Sequence, residues 1–180
     1  MLVMASVISV PPAPASSSEA VSRSMRSNRR RDTSPELHLR SALHARGWRF
    51  RVDLAIPAGG GRPRPDLAFT RRRVAVFVDG CFWHCCPVHG RPPLSNGSYW
   101  GPKLARNTER DRLDTDRLEE AGWIVVRLWE HVPLEIAVDA VESALIASDK
   151  AERRQLTRPA VRGRASVVPS EGAGGRHRRG

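Results

Sequence analysis

Cys81, Cys85 and Cys86, the only cysteines of the chain, fall within six positions, with His84 among them and His89 just beyond. Cys81, Cys86 and His89 give the spacing C-x4-C-x2-H. Thiolate and imidazole donors so arranged select zinc over magnesium or calcium. A closed tetrahedral site needs a fourth ligand. His131, just past a later apolar segment, is the candidate, and Cys85 is an alternative to Cys86. Four protein ligands leave no open position, so a zinc here is expected to be structural. Cysteines this crowded make a poor disulfide framework and fit a reducing, cytoplasmic compartment.

Other groups must then supply chemistry. Asp66 leads a short apolar segment, Leu67–Phe69, and the run Val74–Val78 follows after Arg71-Arg72-Arg73. A hairpin of these two segments brings Asp66 close to the backbone carbonyl of Val78, and hard oxygen ligands of that kind suit Mg2+. His84 lies between the zinc ligands in sequence, in a loop the zinc would fix. A neutral imidazole there can take a proton from an attacking water. Asp111 or Glu36 could orient that histidine or hold a metal-bound water. With Mg2+ stabilising charge on a phosphorus centre, these are the parts of a phosphodiesterase. Phe82, Trp83 and Trp100 flank the same loop, either as a small local core or as rings that stack on or wedge between nucleic-acid bases.

The elements that must position these groups are legible in outline. Thr33 and Glu36 match a capping box, with Pro35 at the first helical position as the alternative start. The helix runs to about Arg46 and Gly47 stops it. Glu36 shares the inward side with Leu39 and Leu43. Its alternative role is that of a first-turn carboxylate favoured by the helix dipole. Trp48–Leu54 reads as a strand, and 58–65, rich in Gly and Pro, as a loop open to movement. Val74–Val78 is apolar on both faces and reads as a central strand. The segment from Gly80 to Gly101 reads as a long functional loop that a metal would pin. Lys103–Ala121 is a helix closed by Gly122. Leu104, Asp111 and Leu118 share one face of it with Asn107 between them, so polar residues interrupt its inward stripe. Trp123–Trp129 is a further core strand, and Leu134–Ala147 an amphipathic closing helix.

Residues 1–21, rich in Ala, Ser and Pro, read as a disordered extension. Residues 22–33 read as a basic arm, residues 22–148 as the folded domain, and 149–180 as an Arg-rich tail. Met25 is an alternative start. The 180-residue chain carries a net charge of +11. Residues 1–33 hold 5 basic and 2 acidic side chains and residues 150–180 hold 9 and 2, which leaves 16 and 15 between them. The basicity therefore belongs to the ends, and it supports a polyanionic partner only weakly. No apolar stretch approaches the length of a membrane span. No Lys or Arg precedes the apolar residues Leu2–Val10, so a secretory signal is not expected.

Taken in order, Met25-Arg26, Arg31-Asp32-Thr33, Glu36, Arg64-Pro65-Asp66, Val76 to His89 with its run D-G-C-F-W-H, Tyr99-Trp100, Lys103, Asn107, Glu109-Arg110-Asp111, Gly122-Trp123 and Trp129-Glu130-His131 resemble the very-short-patch mismatch repair endonucleases. The likeness spans about Ser22 to Val138. It implies an α/β, restriction-endonuclease-like domain, a central mixed sheet flanked by helices, with a structural zinc. It implies a Mg2+-dependent nick on the 5′ side of the thymine in T:G mismatches left by deaminated 5-methylcytosine. By this resemblance Asp66 and the Val78 carbonyl bind Mg2+, His84 is the catalytic histidine, and Glu36 and Asp111 are acids at the site. Cys81, Cys86, His89 and His131 match the zinc positions. Phe82, Trp83 and Trp100 match wedging aromatics, and Met25 a residue of the arm that enters the other groove; Asn107 stands with them as a DNA contact. The implied partner is duplex DNA bound by a monomer, assisted by general mismatch-repair proteins and a cognate cytosine-5 methyltransferase. Position 85 is often Gly in that family, and the D/E-x-K signature of restriction-like nucleases is absent after Val76. Two other readings compete: a non-catalytic, zinc-stabilised DNA-binding protein, and a restriction-type nuclease that cuts paired DNA.

Overall fold

The computed structural model describes residues 9–14, 31–90 and 96–157, with side chains to residue 151. Met25, most of the basic arm and the end of the tail, 158–180, lie outside the described residues. The elements in chain order are α1 (Ser34–Ala45), β1 (Arg51–Val52), β2 (Leu67–Phe69), β3 (Val74–Asp79), α2 (Gly97–Glu120), β4 (Ile124–Trp129) and α3 (Leu134–Thr157). The strands form one mixed sheet in the order β1-β2-β3-β4. β1, β2 and β3 are antiparallel neighbours, and β3 pairs with β4 in parallel.

Both faces of β3 are covered, which is why its sequence is apolar from Val74 to Val78 before Asp79 ends it. Leu67, Phe69, Val74, Val76 and Leu128 join Leu39 and Leu43 of α1 and Val138, Val141 and Leu145 of α3 in one core. The alternate strand residues Ala68 and Ala75 face the other way and meet Ile56 and Leu118 of α2. Successive strand side chains point to opposite faces, so α1 and α3 cover one side of the sheet and α2 the other. α2 is also the crossover that a parallel β3–β4 pair requires. Among the described residues no helix is long and apolar enough to cross a membrane.

The hairpin of β2 and β3, the central place of β3 and the stop at Gly47 (φ +87°) agree with the sequence reading. Five details differ. The strand expected over Trp48–Leu54 shrinks to two residues, because Asp53 turns the chain at φ +50° and is clamped by Arg64 at 2.8 Å and Arg31 at 3.1 Å. Trp48 and Phe50 instead pack edge-on against Phe69. The 58–65 segment is the turn and loop expected, but closed rather than open to movement: Ala58 and Gly61 bridge each other, and Pro63 and Pro65 are fully buried. α2 starts at Gly97, ahead of the expected Lys103, and takes in Tyr99, Trp100 and Pro102. Asn96, left-handed at φ +55°, accepts the amides of Tyr99 and Trp100 on its carbonyl and so begins the helix before the proline. α3 continues past Ala147 to Thr157, into the segment read as a tail. The capping box is not made: Thr33 Oγ1 donates to Glu36 Oε1 at 2.9 Å, and Glu36 Oε2 accepts the amide of Asp32 at 3.0 Å.

Candidate active site and metal centre

Parallel pairing delivers the ends of β3 and β4 to one edge, with Asp79 opposite Trp129. β3 continues into the loop from Gly80 to Gly90, and β4 into Glu130 and His131. The loop is a series of tight closures. His84 N–H donates to Gly80 O, Cys86 N–H to Cys81 O and Gly90 N–H to Cys86 O, at 3.1, 2.9 and 2.7 Å. A Cβ at Gly90 would lie 2.4 Å from the Cys86 carbonyl oxygen, so the last closure admits only glycine. Glu130 Oε1 accepts the Cys81 amide at 2.7 Å and ties the loop to the end of β4.

These closures bring Cys81, Cys86, His89 and His131 together, with one donor atom from each within 4.8 Å of all the others. His131 Nδ1 lies 3.0 Å from Cys81 Sγ and 3.8 Å from Cys86 Sγ. Both sulfurs are buried, whereas Cys85 is exposed and outside the cluster. Its φ of +56° lies in the left-handed region that favours glycine. The two buried thiols are not equivalent. Burial, then the neighbouring Cys86 and Glu130, push Cys81 up to about 11. Burial acts on Cys86 too, but backbone N–H groups of His89, Val88 and Gly90 around its sulfur outweigh it and hold the thiol below its ordinary value. The fold therefore favours the thiolate form more at Cys86 than at Cys81.

A second group of side chains gathers at the same sheet edge. Asp66 Oδ2 accepts the Val78 N–H at 2.7 Å, so the hairpin register fixes this carboxylate. Burial pushes Asp66 up to about 6; the Val78 hydrogen bond opposes this, while the negative charges of Glu36 and Asp79 add to it. Glu36 is 3 % exposed and paired with Arg40 at 2.7 Å. It stands beside Asp66 and not on His84. The histidine is taken by Asp111, whose Oδ2 lies 2.5 Å from His84 Nδ1. Burial raises Asp111, but the His84 contact and the charges of Arg127 and Arg110 outweigh it, so this acid is ionised at neutral pH. An ionised Asp111 cannot donate, so the proton of the shared bond sits on His84 Nδ1.

The aromatic residues form a third group. Phe82, Trp83 and Trp100 pack against each other with ring centroids 5.2–5.8 Å apart, and Tyr99 adds to the edge of Trp100. All four rings remain half-buried. The Lys103 ammonium lies over Trp83, Tyr99 and Trp100 and donates to the Tyr99 hydroxyl at 2.7 Å. Asn107 Nδ2 donates to the Trp83 carbonyl at 3.2 Å, so the inward polar residue of α2 steadies the aromatic loop.

Sequence reasoning brought most of these residues to one edge but missed others. Asp79, 6 % exposed, receives both Arg127 Nε at 2.7 Å and Nη2 at 2.6 Å. The signal was an arginine inside the otherwise apolar I-V-V-R-L-W of β4. Glu130 and Lys103 carry part of the family resemblance, but neither their type nor their spacing assigns them a role in the sequence.

Known proteins match this sequence. The family model described as DNA mismatch endonuclease Vsr matches residues 16–89. The type II nicking enzyme V.NaeI of Lentzea aerocolonigenes is 54 % identical over 125 residues, which is 69 % of this chain and 75 % of that enzyme. The DNA mismatch endonuclease Vsr of Escherichia coli K12 is 39 % identical over 112 residues, 61 % of this chain and 68 % of that protein. The type II nicking enzyme V.XorIIP of Xanthomonas oryzae pv. oryzae is 39 % identical over 108 residues, 59 % of this chain and 76 % of that protein.

Proposed function

The chain belongs to the DNA mismatch endonuclease Vsr family, a family of endonucleases acting on DNA, and we propose that it nicks one strand of duplex DNA 5′ of the thymine in a T:G mismatch, with Mg2+ as catalytic and Zn2+ as structural metal. The observation that carries this reading is the unbroken run of contacts along the sheet edge. Asp66 meets the Val78 amide at 2.7 Å, Asp79 follows one residue later with its Oδ1 3.6 Å from His84 Nδ1, and His84 meets Asp111. The nicking and mismatch-endonuclease activities for which three relatives are named support a single-strand cut at a mismatch.

The donor chemistry fits both metals. Two sulfurs and two imidazole nitrogens suit a closed zinc site, and a buried carboxyl crowded by Glu36 and Asp79 suits a hard divalent cation. Cys81, Cys86, His89 and His131 would hold zinc, and Asp66 with the Val78 carbonyl would hold magnesium. When bound, zinc cross-links the loop to the end of β4, and magnesium supplies positive charge at the scissile phosphate. The remaining steps belong to the protein. His84 Nε2 takes the proton of the attacking water, while Asp111 keeps the imidazole in the Nδ1–H tautomer and stabilises its charge afterwards. Phe82, Trp83 and Trp100 wedge into the stack beside the mismatch. Unstacking costs less there than in a paired duplex, which gives a physical route to selectivity.

The test is a nicking assay of the full chain with Mg2+ on T:G duplexes differing in flanking sequence, beside the same duplexes fully paired. A single-strand cut confined to mismatched duplexes is expected. Cutting of paired duplexes favours the restriction-type reading, and a Mg2+-independent gel shift without any cut favours the binding protein.

A further inference from the structure

We propose that Arg127, locked by Asp79, is a positioning residue that decides which carboxylate His84 leans on. The inference rests on His84 being the base of the reaction proposed above. It starts from the location of Arg127 in β4, on the α2 side of the sheet, with its guanidinium 4.7 Å from the centre of the Phe77 ring. Taking a charge pair out of water is costly, and apolar residues of equal volume stabilise such a position as well or better. Fold stability therefore gives no reason to place an arginine here. Its contacts suggest one.

The guanidinium fork covers both oxygens of Asp79, at 2.7 and 2.6 Å. The rest of it reaches across to α2. Nη1 lies 3.3 Å from the Asp111 carbonyl and 3.4 Å from Thr115 Oγ1, and Nη2 lies 3.5 Å from Asp111 Oδ1. Thr115 Oγ1 in turn donates to the Asp111 carbonyl at 2.9 Å. One side chain thus joins the end of β3 to the turn of α2 that carries Asp111.

His84 Nδ1 has two acceptors within reach, Asp111 Oδ2 at 2.5 Å and Asp79 Oδ1 at 3.6 Å. Arg127 settles this competition by geometry. It saturates Asp79 with a planar two-point contact, and it draws Asp111 Oδ1 towards itself, which turns Oδ2 to the imidazole. Without the fork, Asp79 has two unpartnered oxygens beside His84, and the ring can swing from one acid to the other. Nε2 then leaves the line from which it reaches the water. A displacement near 1 Å at a reacting group costs on the order of 100-fold in rate.

The experiment uses the full zinc-loaded chain and three variants, Arg127→Lys, Arg127→Leu and the double variant Asp79→Asn with Arg127→Leu. Lysine keeps the charge and loses the fork. The double variant removes the buried charges together, which spares the fold the unpaired aspartate that Arg127→Leu leaves. Single-turnover nicking, DNA affinity, melting temperature and the 15N-imidazole spectrum of His84 are measured on each. The expected result for Arg127→Lys is a rate lowered roughly 10- to 100-fold, with affinity within about twofold and melting near that of the parent, whereas the double variant, which leaves His84 no second carboxylate, recovers most of that rate. In Arg127→Lys the His84 Nδ1–H signal is expected to shift or broaden as the ring samples both acids. A double variant slowed as much as Arg127→Lys overturns the proposal, as does a His84 signal unchanged in Arg127→Lys. The NMR arm reads the positioning even if the parent nicks no mismatch tested, so failure of the proposed function is told apart from failure of this inference.

Discussion

Three of the four donors of the Cys/His cluster come from the loop between Cys81 and His89, whereas the acids Glu36, Asp66, Asp79 and Asp111 come from α1, the approach to β2, the end of β3 and α2. The electrostatics differ as well. Backbone N–H groups lower the Cys86 thiol towards its charged form before any cation is present, while burial and neighbouring acids drive Asp66 towards its neutral form. One region has the donor set that a metal would complete; the other is a set of like charges that the fold tolerates. Binding a cation should therefore repay the two regions differently, with cohesion in the first and reactivity in the second.

The sharpest way to break that contrast is to strip each region in turn. Chelation, or Cys81→Ser, is expected to lower the melting temperature by more than about 10 °C with loss of bound zinc, read by calorimetry and metal analysis. Asp66→Ala is expected to leave melting intact and to lower nicking by on the order of 10³-fold or more; equal destabilisation by the two substitutions would erase the distinction.

A pH series sharpens it further. Asp66 titrates near 3.8 when unfolded and at about 6 in the fold, so the folded state holds the extra proton between those values. Stability from this group is full below pH 4 and is lost as pH rises through 6. Metal-free Asp66→Asn should consequently gain roughly 3 kcal/mol over the parent at pH 8 and nothing near pH 3.5, measured by denaturant unfolding. A gain that grows on acidification would reverse the sign argued here. The smallest effect is expected at Cys85, where Cys85→Gly should relieve about 1 kcal/mol of left-handed strain and leave zinc stoichiometry unchanged. Loss of zinc in that variant would move a ligand from Cys86 to Cys85.

The same contrast explains what could be read from the sequence. The Cys/His donors show themselves through short spacing, and His131 through the parallel strand that ends beside them. Asp66 was reachable because a tight hairpin fixes which residue faces Val78. Asp79 and Arg127 were not, because their pairing depends on the register of two strands joined through a long helix, with 48 positions between the partners. The short β1 and the early start of α2 were hidden for a related reason. Each depends on a left-handed residue, Asp53 or Asn96, whose conformation is held by contacts or favoured by local closure and not by residue type alone. Glu36 was placed inward correctly, yet its bonds to Arg40, Asp32 and Thr33 anchor the start of α1, and only its charge acts on Asp66.

The separation of 50 positions between Cys81 and His131 has a consequence for how the molecule assembles. A chain emerging or refolding with zinc present can gather Cys81, Cys86 and His89 through local closures alone, at little entropic cost. The fourth donor arrives only after α2 has formed and β4 has docked on β3. Zinc with three protein ligands would therefore accompany the unfinished sheet, and exchange of its last ligand for His131 would time the closing of the active-site edge. Stopped-flow refolding followed by a zinc-competing dye would record that event separately from the burial of the core.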